Sequence, residues 1–322
     1  MQIFYSKLMI MVDLLKLRTS NHQIINSLLL HPDFIECKPI NNYYTSLRQI
    51  DGFKIGLHFR KAIEKGFEIG YGYVDVLISP HYHKNNYQHN GDNFTPMECI
   101  KSINEILNYL EIEEEEGKDL QVVNIEFGLN IIPNSDARLI FDGLLLYKRS
   151  KFSIKYEDIE TFKISEATKY KEIKVYLKGI QFLDFPSYNI DLNTIRFEVR
   201  SKKREFIKKL GIYTVCDLME IKTYKNLFKE ILTEWDLVLL VNRQYDKTQI
   251  KEKYLAFLDD CNSLEYWIDL IASKHRNTFL KTKIKYYKIL TAKNNLHTEI
   301  KAKIIDKIDI FFSMQIVHRE PA

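Results

Sequence analysis

The chain has 322 residues, a net charge of +4 and 28% charged side chains. At 45% hydrophobic and 13% aromatic residues, it is excluded from the disordered class, and its length buries a core without disulfides. The mild basicity excludes histone-like phosphate binding, so any contact with nucleic acid must come from local clusters. Cys37, Cys99, Cys216 and Cys261 lack CxxC spacing, which argues against a zinc ribbon or disulfide framework and fits a reducing cytoplasm. No apolar run approaches the roughly 18 residues of a membrane span. The start, MQIFYSKLMIMVDLL, has no small-residue cleavage site, so no signal peptide is expected.

In chain order, MIMVDLLKLR (9–18) reads as a strand and HQIINSLLLH (22–31) as a short helix. Residues 53–80 break at glycines and read as two or three short strands. ISPHYHKNNYQHNGDNF (78–94) reads as a polar loop, because Pro80 disfavours a strand there. Thr95-Pro96 with Glu98 predicts a helix N-terminus with a capping box. Ile100, Ile103, Ile106, Leu107 and Leu110 supply its apolar stripe, and EIEEEEG (111–117) closes it as a solvated acidic loop.

QVVNIEFGLNII (121–132) alternates, with Val123, Ile125, Phe127, Leu129 and Ile131 on one face and Asn124, Glu126 and Asn130 on the other. IKVYLKG (173–179) sets Lys174, Tyr176 and Lys178 opposite Ile173, Val175 and Leu177. TIRFEVR (194–200) sets Arg196, Glu198 and Arg200 opposite Ile195, Phe197 and Val199. Beyond about residue 203 the spacing becomes helical, in 228–241, 253–260, 264–274 and 302–312. The expectation is therefore an α+β fold, with an antiparallel-sheet domain over 1–202 and a helical domain over 203–322.

If the three alternating strands share a sheet, its polar face carries Glu126, Tyr176, Lys178, Arg196 and Arg200. A free phenol has a pKa of about 10 and becomes a nucleophile only with a cation, a base or a metal beside it or its target. Side chains two apart on one strand face stand roughly 6.5–7 Å apart, so Lys178 can place charge beside Tyr176. Tyrosine is also an ordinary strand residue, and the ordinary reading of Glu126 is a solvent-facing one. Arg196 and Arg200 with Lys202, Lys203, Arg204, Lys208 and Lys209 form a basic cluster, either a solvated surface or a grip on a nucleic-acid backbone. His81, His83 and His89, with Asp75 on the strand before them, are imidazole and carboxylate of the kind that binds divalent metals. No Gly-rich phosphate loop, Gly-x-Ser-x-Gly or HExxH occurs.

Taken together, these segments resemble the replication initiators of filamentous phages and related mobile elements, the gene II type of rolling-circle nicking protein. MVDLLKLR (11–18) is similar to that family's opening strand. Residues 78–94 resemble its Ser-Pro…His-Asn segment, with His89-Asn90 on the His-Asn. NIEFGLNI (124–131) resembles its Arg-Ile-Asp strand, with Glu126 where the family's acid, more usually Asp, stands. KVYLKGIQF (174–182) resembles its Tyr-x-Lys strand, and IRFEVRSKKREFIKKLGI (195–212) the Arg-Phe-Glu-x-Arg segment that follows. The likeness covers roughly residues 11–220.

The resemblance implies an HUH-like nickase domain and a strand-specific DNA nickase that starts rolling-circle replication in a bacterial cytoplasm. Tyr176 would form a 5′-phosphotyrosine, assisted by Lys178. Mg²⁺ or Mn²⁺ would be held by Glu126 and some of His81, His83, His89 and Asp75. DNA would be gripped by Lys174, Arg196, Arg200, Lys202, Lys203 and Arg204, with a host helicase and polymerase as further partners and no membrane. The alternative is a non-catalytic single-stranded DNA- or RNA-binding protein in which Tyr176 stacks on a base.

Overall fold

The structure, a computed structural model, describes residues 10–37, 45–49, 54–154, 161–290 and 294–317. Residues 9 and 53, where two predicted strand segments begin, and the Cys37 side chain lie outside the described set. In chain order the elements are β1 (Met11–Thr19), α1 (His22–Leu30), β2 (Ile35–Cys37), β3 (Thr45–Gln49), β4 (Gly56–Glu64) and β5 (Phe67–Ile78). There follow α2 (Pro80–Lys84), α3 (Pro96–Tyr109), β6 (Gln121–Ile131), α4 (Ala137–Gly143) and β7 (Leu144–Tyr147). Next come β8 (Ser150–Lys151), β9 (Ser153–Ile154), β10 (Phe162–Ser165), β11 (Lys171–Leu177) and β12 (Ile195–Ser201). The remainder is α5 (Arg204–Lys209), α6 (Ile221–Asp236), β13 (Val238–Leu240), α7 (Leu255–Cys261), α8 (Leu264–Ser273), α9 (Arg276–Ile289) and α10 (Leu296–Val317). The chain is thus α+β, with antiparallel strands and a C-terminal helical region. No helix among the described residues is long and apolar enough to cross a membrane.

The chain divides into two compact units. The first comprises residues 1–129, 169–171 and 198–229; the second comprises 130–168, 172–197 and 230–322.

In the first unit the ladder runs β2-β3-β4-β5-β1-β6, and each pairing is antiparallel. The alternation of Leu15 and Leu17 in β1, Val74, Val76 and Ile78 in β5, and Ile125 and Phe127 in β6 gives one face that is fully buried. α1 packs on β5 and α3 on β1, burying Ile24, Ile25 and Leu28 from one helix and Cys99, Ile103 and Ile106 from the other. The predicted capping box is present: Thr95 accepts from the Glu98 backbone N–H, and the Glu98 carboxylate accepts from the Thr95 N–H.

The glycines of 53–80 do not cut this stretch into short strands. β4 and β5 form one long hairpin whose two turn residues, Lys65 (φ 51) and Gly66 (φ 87), both take left-handed backbone. Gly70 (φ 115) lies beside a register shift, so it bulges the strand rather than ending it. Residues 80–84, read as loop, form the short helix α2, because Pro80 sits in its first turn where no N–H is needed. The acidic stretch read as loop contains a 3₁₀ turn at Glu114–Asp119.

In the second unit, Ile195–Phe197 of β12 begin a ladder that continues β11-β10-β9, with Phe162 opposite Tyr176. A separate three-stranded sheet has the order β13-β7-β8. The helix expected over 228–241 ends at Asp236. Val238–Leu240 instead form β13, which pairs with Leu144–Tyr147. A short apolar run flanked by a turn reads equally as buried helix or buried strand, and here the exposed backbone edge of β7 decides it. The helical core gathers Leu146, Leu239, Val241, Leu258, Trp267 and Tyr286, all fully buried. The 253–260 segment is a 3₁₀ turn followed by α7, and the helices expected at 264–274 and 302–312 are α8 and part of α10.

Candidate active site

The alternation of β11 puts Tyr176 on the face opposite Val175 and Leu177, and there the second unit concentrates its polar chemistry. The Tyr176 ring is half-buried and stacks on Phe162 of β10, with centroids 5.2 Å apart and planes 24° apart. Arg196 of β12 is fully buried. Its Nε donates to Asn130 Oδ1 at 2.7 Å, and its Nη1 donates to the Tyr176 hydroxyl at 3.5 Å. The guanidinium carbon is 5.9 Å from the Tyr176 ring centroid. Lys178, 1% exposed, donates to Gln181 Oε1 at 2.8 Å. Its ammonium lies 5.5 Å from the Tyr176 ring centroid and 4.8 Å from that of Phe182. Two buried cations therefore flank one phenol, and a buried charge persists only when it is paired or hydrogen-bonded.

These positions revise the expected backbone grip. Arg196 is inside, and Lys174 is buried as well, so neither belongs to an exposed basic surface. Lys202 and Lys203 are exposed, while Arg200 and Arg204 are half-buried. Arg196 instead has the geometry of a group that stabilises negative charge at the Tyr176 oxygen or on a bound phosphate.

In the first unit, a second polar cluster forms around His81. A register shift between Val12 and Leu14 against β6 makes Asp13 the bulged residue of β1, and a bulge re-aims its side chain. Asp13 Oδ1 lies 3.2 Å from His81 Nδ1 and accepts from Asn90 Nδ2 at 3.4 Å. The other ring nitrogen of His81 lies 2.7 Å from Asp92 Oδ1, and the ring stacks on Phe94 at 4.6 Å. Asp92 also accepts from Lys84 Nζ at 2.9 Å and from Asn85 Nδ2 at 2.7 Å. Burial works against the charge of Asp92, but the bonds and charges of His81, Lys84 and Asn85 outweigh it and hold the carboxyl well below its usual range.

The residues expected to bind metal are distributed as follows. His83 faces Tyr87 Oη at 3.0 Å and Glu105 at 3.2 Å, since positions two apart on α2 point in different directions. His89 Nδ1 lies 3.8 Å from Asp92. Both oxygens of Asp75 are engaged, by Arg18 Nε at 2.6 Å and Nη2 at 3.0 Å and by Lys16 Nζ at 2.9 Å. Burial opposes the charge of Asp75, and those cations more than compensate, holding its carboxyl below the usual value. Glu126 is not solvent-facing: it is 9% exposed, with Arg200 Nε 3.6 Å away.

Both ring nitrogens of His81 have a carboxylate oxygen as neighbour in this arrangement. Among the described residues no group of three or more His, Cys, Asp or Glu side chains could hold a metal ion. The side chains expected to bind metal are therefore not gathered into one ligand set among the described residues.

Asp13 and Asp92 were not singled out from the sequence. The available signal was a carboxylate inside the apolar run Met11–Leu15 and another just after Asn90-Gly91. Nucleophilic cysteine chemistry has no footing at Cys99 or Cys261, where burial pushes both thiols up to about 12.

No protein-family model matches the chain, and no curated protein matches it. Among solved structures the chain is similar to a rolling circle replication initiator protein from Geobacillus stearothermophilus, at 13% identity and a TM-score of 0.38. That match covers 79% of this chain and 97% of the other.

Proposed function

We propose that the chain is a rolling-circle replication initiator that nicks one DNA strand with Tyr176 as nucleophile. The observation that carries this reading is the placement of Arg196 against the Tyr176 hydroxyl, in a setting where Asn130 fixes the guanidinium and Lys178 adds a second buried cation. The collinear sequence segments resembling nickases converge on the same tyrosine.

In the proposed step the Tyr176 oxygen attacks phosphorus in line. The bond from phosphorus to the phenol oxygen forms, and the bond to the 3′ oxygen breaks. The phenolic proton leaves to solvent, and the 3′ oxygen takes up a proton to become a free hydroxyl. Arg196 and Lys178 offset charge on the phenol oxygen and on the pentacoordinate phosphorus. The 5′-phosphotyrosine retains the phosphodiester's energy, so the reverse attack by a 3′ hydroxyl rejoins the strand without ATP. A host helicase and polymerase would act on the opened strand.

The test incubates the full chain with supercoiled plasmid DNA and, separately, with a pool of randomised single-stranded oligonucleotides. Each is run with Mn²⁺, with Mg²⁺ and with EDTA. The expected result is an SDS-resistant protein–DNA adduct whose tryptic peptide maps to Tyr176 and which Tyr176→Phe abolishes. Loss of the adduct in EDTA would show that a divalent cation takes part, and an adduct that survives EDTA would assign the charge stabilisation to Arg196 and Lys178. Absence of any adduct under all conditions, with oligonucleotide binding unchanged in Tyr176→Phe, would overturn the nickase in favour of a non-catalytic nucleic-acid-binding protein.

A further inference from the structure

The C-terminal helical region concentrates positive charge to a degree that the whole-chain balance conceals. From Lys274 to Thr298 the sequence carries seven Lys or Arg and no Asp or Glu, against a net charge of +4 for all 322 residues. α9 lies within this stretch. Its Lys281, Lys285 and Lys288 follow an i, i+4, i+7 spacing that places them on one helix face, and all three are exposed. Lys283, on the opposite side, is buried and donates to the Asp236 carbonyl at 2.8 Å.

The exposed lysines line a groove of about 540 Å³ together with Lys251, Tyr254 and Ile284. No Asp or Glu is among its lining residues. Lys285 is held over the Phe257 ring, 4.0 Å from its centroid, which fixes one cation at the groove's edge.

We infer that this groove binds the phosphate backbone of DNA, as a contact surface additional to the strand that carries Tyr176. The lysine row extends roughly 10 Å along the helix axis. That is too long for a single small anion and suited to successive phosphates of one chain. A membrane surface is the poorer fit, because interfacial helices pair a basic face with a broad apolar one rich in Trp, Phe and Leu. Here Ile284 is the one exposed large aliphatic side chain lining the groove. The choice of DNA rather than another polyanion rests on the nickase reading; the groove and its charge do not.

The experiment measures binding of a short fluorescein-labelled oligonucleotide, single-stranded and duplex, to the full chain by anisotropy across a KCl series. In Lys281→Gln/Lys285→Gln/Lys288→Gln the affinity is expected to fall at least about tenfold at low salt, and the log–log salt slope to become shallower by about two to three. Lys251→Gln, on a separate segment, is expected to flatten the slope by about one. The Lys→Arg triple variant should bind like wild type. Thermal unfolding of each variant guards against misfolding, since these side chains are exposed. Unchanged affinity and slope in both Gln variants would overturn the inference, as would lost binding to anionic phosphatidylserine vesicles with DNA binding intact. A wild-type chain that binds DNA with this salt dependence but forms no adduct retires the nickase and leaves the groove standing. An adduct with unchanged binding in the triple variant does the reverse.

Discussion

Arg196 directs Nη1 at the Tyr176 hydroxyl from 3.5 Å while its Nε is anchored 2.7 Å from Asn130 Oδ1. The two contacts use different nitrogens of one rigid fork, a geometry lysine cannot reproduce.

Arg196→Lys is therefore expected to slow single-turnover adduct formation by about 100-fold, on the scale of removing one preorganised donor from a developing oxyanion. Asn130→Ala, which frees the fork without removing it, should cost less. Rate measurements at saturating DNA separate this loss from weaker binding. Equal rates in wild type and Arg196→Lys would remove Arg196 from the chemistry.

The His81 cluster makes a stability prediction. Removing the imidazole in His81→Ala leaves Asp13 buried at 7% exposure with Asn90 as a remaining neutral donor. Removing one partner of a buried hydrogen-bonded group typically costs about 1–3 kcal/mol, and the urea midpoint should fall accordingly. A double-mutant cycle with Asp13→Asn should return a coupling of at least about 1 kcal/mol; additivity of the two changes would mean that the contact contributes nothing.

Asp75 predicts part of the acid limb of unfolding. With Arg18 and Lys16 bound to it, its folded-state pKa lies below the unfolded value. Its contribution is therefore present above the unfolded carboxylate range near 4 and is lost as pH falls through the folded value. Asp75→Asn should lower the thermal midpoint at neutral pH and flatten its decline on acidification.

His297 acts in a neighbouring window. Its ring is buried, lies 3.1 Å from the Trp235 carbonyl, and stacks on Trp235 and Tyr287. Burial, reinforced by Lys283, pushes it down to about 4. Between that value and the ordinary 6.5 or so, the unfolded chain binds a proton that the native chain does not. Stability must therefore fall as pH drops through this range, by up to about 1.4 kcal/mol per unit. His297→Gln should remove that slope; a slope identical to wild type would assign it to other groups.

The period-2 stretches were legible because strict alternation leaves little choice: β6, β11 and β12 lie close to where the pattern of Val123–Ile131, Ile173–Leu177 and Ile195–Val199 puts them. Thr95, Pro96 and Glu98 likewise fixed the start of α3 by local chemistry. β13 was not legible, because Val238–Leu240 carry no periodicity and acquire their conformation from β7, some ninety residues upstream. Of the candidate site, Tyr176 and Lys178 are put forward by the resemblance, since strand alternation alone marks Tyr176 as an ordinary strand residue. The burial of Arg196 was not legible, since on an alternating strand it reads as one more surface cation. Asp13 was hidden for a related reason: its aim depends on a bulge that sequence does not announce.

The pairing of β13 with β7 also governs where the polypeptide can be cut. A protein expressed to residue 202 would end before Val238 is made. Leu144–Tyr147 would be left with a bare row of amides and carbonyls, and Tyr147 without the Glu234 carboxylate that accepts its hydroxyl. Such a truncation product should self-associate through that open edge, so dissection of the chain has to keep the distal helices attached.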